Sequence, residues 1–171
     1  MILHPLPPQP ELNIPALERS LDLSSLTNSY KLYWFAGLLE EINHQRTEIK
    51  FKTIVIWMIT KSWHTVLTFK LRLGDQDKIK EVIYYINEKY EIKPDITESE
   101  LNIFLNQLED PEFEDYISGY IRYVPYRLLS SFYEFKDNSG YNKDKAIAEK
   151  SSKDETVLYR INTTDSTVIV N

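Results

Sequence analysis

The chain has no cysteine, four glycines and three histidines among 171 residues. Without cysteine there are no disulfides, thiolate zinc sites or cysteine nucleophiles, which excludes a stapled secreted scaffold and fits a reducing, cytoplasmic setting. The few glycines form no phosphate-binding loop, no dinucleotide fingerprint and no nucleophile elbow. His4, His44 and His64 are too scattered for a multi-histidine metal site. Long apolar runs are also missing. The longest, Ile54 to Phe69, is interrupted by Lys61 and His64 and falls short of the roughly 20 residues of a spanning helix. Prolines 5, 7, 8 and 10 break up the first residues, which also lack a charged start, so they do not read as a signal peptide. Neither a membrane contact nor a cofactor is expected.

What is present is an aromatic concentration. All three tryptophans fall between Leu26 and Asp77, inside two apolar helical patterns. Such surface is costly to expose, so this block should build the core of one domain. Charge is uneven along the chain. Arg46 to Lys80 carries eight basic residues against three acids, whereas Glu81 to Ile117 carries eleven acids against Lys89 and Lys93, within a net charge of -6.

Hydrophobic spacing gives a mainly α fold, a single helical domain of about five to seven helices closed by a small C-terminal β-hairpin. Residues 1–15 read as a proline-rich arm, 16–135 as the helical domain, 136–155 as a polar loop or linker, and 156–171 as the hairpin. The first long helix runs from an N-cap at Thr27 or Asn28, with Leu32, Phe35, Leu38, Leu39 and Ile42 as its apolar stripe and Lys31 off it. A second covers about 51–68 and a third about 75–90, the latter opened by Gly74 and Asp75. Thr97 followed by Glu100 matches a capping box for a fourth, and Pro111 opens a fifth that Pro125 breaks.

The basic stretch admits two readings. Lys50, Lys52, Lys61, Lys70 and Arg72, with Trp63 or Tyr33 stacking on bases, could follow a nucleic-acid backbone; equally, they are solvated helix faces whose charges happen to segregate. Arg122 and Arg127 flank Pro125 in an aromatic segment, where they either hold phosphate or cover apolar surface with their stems. Glu48-Ile49-Lys50 and Glu91-Ile92-Lys93 carry the Glu-x-Lys spacing of some metal-dependent nucleases, but neither has an evident strand or upstream aspartate. His64 reads as a boundary histidine, and no catalytic or metal-binding residue is assigned.

Leu12-Asn13-Ile14, the run Thr27 to Phe35, Met58-Ile59, Trp63-His64, Phe69-Lys70-Leu71 and Gly74-Asp75-Gln76-Asp77 follow one another in a recognisable order. Val124-Pro125-Tyr126-Arg127 and Leu158-Tyr159-Arg160 extend it. Together they resemble the N-terminal helical region of bacterial HNH endonuclease domain-containing proteins of restriction and phage defence. The resemblance implies a ββα-metal nuclease unit lying further downstream, whose histidine motif is not among these residues. The expectation is therefore a non-catalytic accessory module that positions nucleic acid or supports a nuclease domain or subunit encoded nearby. The alternative is a protein-interaction module without nucleic-acid contact.

Overall fold

In the computed structural model, residues 11–22, 29–71, 73, 78–135 and 140–170 are described. The fold is mainly helical with a small antiparallel sheet. In chain order the elements are α1 (Ile14–Leu21), α2 (Tyr30–Asn43), β1 (Glu48–Lys50), α3 (Phe51–Leu67), α4 (Ile79–Tyr90), α5 (Glu98–Gln107), α6 (Pro111–Ile121), α7 (Val124–Leu129), α8 (Gly140–Ser151), β2 (Tyr159–Asn162) and β3 (Thr167–Val170). Capping follows the side chains available. Asn13 accepts from the Ala16 amide at 3.1 Å to start α1, and Thr97 and Glu100 form the full capping box of α5. Asp110 opens α6, with Pro111 in its first turn. The N-cap expected at Thr27 or Asn28 and the Gly74 to Asp77 turn lie outside the described residues.

Helix α3 is the hub. It packs on α2, α4, α5, α6 and β1, which is why residues all around it are buried, from Phe51 and Ile54 to Trp63 and Val66. Its long apolar stretch needs no amphipathic stripe because no side faces only water. Two of the three tryptophans, Trp34 and Trp63, are fully buried. Trp57 is partly exposed and donates its indole N–H to Glu41 at 2.7 Å, while Arg46 reaches the other oxygen of that buried carboxylate at 2.7 Å.

The core face of α2 differs from the expected stripe. Its buried positions are Trp34, Gly37, Leu38 and Glu41; Leu39 is 42% exposed, and Leu32, Phe35 and Ile42 are half-buried. The cause is a close crossing on α3 at Gly37. A Cβ there would meet the Ile54 carbonyl oxygen and the Trp57 Cβ, both at 2.9 Å. Gly37→Ala should therefore force the helices apart, costing about 1–3 kcal/mol and lowering the melting temperature by several degrees in a thermal unfolding scan.

Two further expectations change. Residues 140–151 form a helix where a polar loop or linker was expected, because Ile147, Ala148 and Ser151 are enough to seat it on α7 and β2 while its other faces stay in water. Glu48-Ile49-Lys50, with no evident strand in the sequence, is β1. It turns the hairpin into a sheet of order β1-β3-β2, with Ile49 opposite Val168 and Ile161 opposite Val168 on the other side. A strand of three residues is too short to show a period, and only its partner supplies the signal.

Candidate functional site

Among the described residues the expected basic face is only partly free. Lys61 places its Nζ 2.6 Å from both Glu40 and Glu98, and these partners raise its pKa against the opposing effect of burial. Lys52 pairs with Glu114. Lys50 is exposed on β1, Lys70 is exposed with a left-handed backbone (φ 51°), and Arg72 lies outside the described residues. Trp63 is fully buried, so it cannot stack on a base; a core packed on every side of α3 has claimed its ring. Tyr33 is half-buried against the core. Charge spacing along the chain could not reveal this, because the neutralising carboxylates come from α2, α5 and α6.

Arg122 and Arg127 do reach solvent, and Arg127 lines a cleft of about 820 Å³ among α2, α4, α6 and α7. Its position depends on α7. That short helix is tied to α1 by Ser20, which donates to the Leu128 carbonyl at 2.6 Å, and to the sheet by Tyr159, which donates to the Pro125 carbonyl at 2.6 Å. Both bonds are buried, so Arg127 is presented from a fixed backbone.

Lys31 on α2 and Arg127 on α7 both line this cleft, and Lys143 on α8 lies within electrostatic reach of Lys31. Lys31 on α2 is held below the ordinary lysine range by burial and then by the positive charges of Arg127 on α7 and Lys143 on α8. Among the described residues, none of the three is in an ion pair. Asp144 feels both Arg127 and Lys143, while burial raises its carboxyl above the ordinary range; it is not in a salt bridge with either. The sequence offered Arg127 but not Lys31, which sits off the apolar stripe, nor Lys143, which lies in the segment read as a loop.

The α4 and α6 side of the cleft is net acidic, with Glu81, Glu112 and Asp115 in its lining beside Lys78 at the start of α4. Between the two poles stand tyrosines. Tyr30 and Tyr120 meet edge to face at 5.7 Å, the Lys78 amide donates to the Tyr30 hydroxyl at 2.8 Å, and Tyr123 is 48% exposed with the Arg122 guanidinium 6.0 Å from its ring centre. Gly119 also lines this space.

A separate cluster at the α4–α6 junction is structural. Asp110, 3% exposed, accepts at one oxygen from the Tyr85 hydroxyl (2.6 Å), the Tyr90 hydroxyl (2.7 Å) and Lys89 (3.1 Å), and at the other from the Glu112 amide (3.1 Å). Among the described residues no group of three or more His, Cys, Asp or Glu side chains is placed to hold a metal ion, and no helix is long and apolar enough to cross a membrane. The chain matches no family model, no curated protein and no solved structure.

Proposed function

We propose that the protein is a non-catalytic accessory module of a nucleic-acid-directed defence system, and that it positions nucleic acid by holding phosphates at Lys31, Arg127 and Lys143. The observation that carries the reading is that Lys31 and Arg127 line one cleft with Lys143 in electrostatic reach, and that among the described residues none of the three is in a salt bridge. Gathering like charges opposes folding, and unpaired cations lining a cleft are candidates for holding an anion. An anion resolves the repulsion, and Arg127 offers a planar fork that suits phosphate. The HNH-like order of residues gives the module its setting, next to a nuclease domain or subunit.

Oligonucleotide binding followed by fluorescence anisotropy across a salt series tests this. The double variant Lys31→Met, Arg127→Met should lose about tenfold or more in affinity at low salt, and its plot of log K against log salt should flatten by about 1.4–1.8. The same variant should melt at a higher temperature, since repulsion is removed. Lys52→Met and Lys61→Met, whose charges are already spent on carboxylates, should leave the slope unchanged. Absence of salt-dependent binding, or equal losses from the Lys52 and Lys61 variants, would overturn the reading.

The competing role, docking of a partner protein, has one observation in its favour. Phe69 and Leu71, just beyond α3, are 68% and 60% exposed. If that role holds, Phe69→Ser with Leu71→Ser abolishes a complex that the Lys31, Arg127 double variant leaves intact.

A further inference from the structure

Resting on the phosphate-holding role just proposed, we propose that the cleft between α2, α4, α6 and α7 takes a single nucleotide, with its phosphate at Lys31 and Arg127 and its base directed toward Tyr123 and the acidic side. Three observations lead there. The volume of about 820 Å³ lies within the roughly 300–1,000 Å³ of pockets that enclose small organic ligands, far more than a phosphate ion needs. The charge is polarised. The α2/α7 side is cationic, whereas the α4/α6 side sets Glu81, Glu112 and Asp115 against the one cation Lys78; these carboxylates would repel the next phosphate of a strand laid along the cleft and can accept hydrogen bonds from base amino groups or ribose hydroxyls. Tyr123, half exposed beside the Arg122 guanidinium, offers a face for a base to stack on.

A further observation is Gly119. It sits inside α6, where glycine weakens a helix, yet a Cβ built there meets nothing within 4 Å. Unlike Gly37, it answers no packing demand. What its missing side chain leaves open is the cleft.

A nucleotide can come as a free monophosphate or as the phosphorylated end of a single strand, and both present the same chemistry. The experiment titrates wild-type protein with adenosine and cytidine 5′-monophosphates and with short single strands carrying a 5′-phosphate, a 3′-phosphate or neither, using Gly119→Ala and Gly119→Leu as variants. Gly119→Ala should raise the melting temperature by about 2–4 °C, which establishes that the position tolerates a side chain. Gly119→Leu, equally well folded, should weaken monophosphate or end-phosphorylated strand binding about tenfold or more. Binding of the free monophosphates identifies a mononucleotide ligand; binding only of phosphorylated ends identifies a strand terminus. Strand binding that depends on Lys31 and Arg127 but ignores Gly119→Leu and the terminal phosphate overturns this inference and leaves the accessory role standing. Monophosphate binding without any strand binding does the reverse.

Discussion

Asp110→Ala is expected to destabilise the protein by about 3 kcal/mol, measured by urea unfolding at neutral pH. The carboxylate gathers two tyrosine hydroxyls, a lysine and the first free amide of α6 onto one buried group. Its loss leaves the tyrosine hydroxyls to find water in a partly closed site and removes the cap of α6. Lys89, 46% exposed, recovers hydration readily and contributes least. Asp110→Asn keeps the cap geometry but not the charge, so its cost should be about half as large.

The same residue should give the protein a distinctive acid response. Burial by itself would raise the Asp110 pKa, but the hydrogen bonds from Tyr85, Tyr90, Lys89 and the Glu112 amide outweigh it and hold the carboxyl well below the usual carboxylate range. A pKa depressed in the folded state contributes stability that is complete above the unfolded value, near 3.9, and is lost as pH falls further. Unfolding free energy should therefore drop steeply below about pH 4 in the wild type and more gently in Asp110→Asn. At the alkaline end Tyr85 is pushed up to about 12, first by burial and then by its bond to Asp110. Raised pKa values act in the opposite sense. Stability present below the ordinary tyrosine value, near 10, should decline as pH rises toward 12 and should decline less in the Asp110 variants. Identical pH profiles for wild type and Asp110→Asn would refute the hub.

Trp63→Ala should cost about 3–5 kcal/mol, since it empties the volume of a fully buried indole in the middle of α3. Trp63→Phe should cost far less, about 1 kcal/mol, because the indole N–H has no acceptor among the described residues and phenylalanine removes that unpaired donor along with part of the volume. Nucleic-acid affinity supplies the second readout. A base-stacking tryptophan would lose binding in Trp63→Phe as well as in Trp63→Ala, whereas a core tryptophan leaves the affinity of folded protein unchanged. The structure places Trp63 in the second group.

Local patterns carried much of the architecture. Helix α3 matches its expected span within a residue, and α5 and α6 start where expected, because a continuous apolar period, a Thr-x-x-Glu box and an Asp-Pro start are each written within one or two turns. The errors arose where a short or polar segment borrows its burial from elsewhere. β1 needs β3, more than a hundred residues away, and α8 needs only Ile147, Ala148 and Ser151 because α7 and β2 provide the remaining surface.

The candidate site was legible only at one corner. Arg127 stood out beside Pro125, but the charge count from Arg46 to Lys80 included lysines that are ion-paired and a tryptophan that is buried. A run of lysines in sequence says nothing about which carboxylates will face it, and Glu40, Glu98 and Glu114 cancel the ones that mattered.

By itself the sequence determined a mainly helical chain with an aromatic core, no cysteine chemistry and no long apolar span, since composition and periodicity are properties of neighbouring residues. Tertiary structure alone decided which cations stay unpaired, which tryptophan reaches solvent and where a cleft opens. Those depend on Coulomb and packing interactions between residues such as Lys31 and Arg127, which lie far apart in the chain and line one cleft only after their helices have docked.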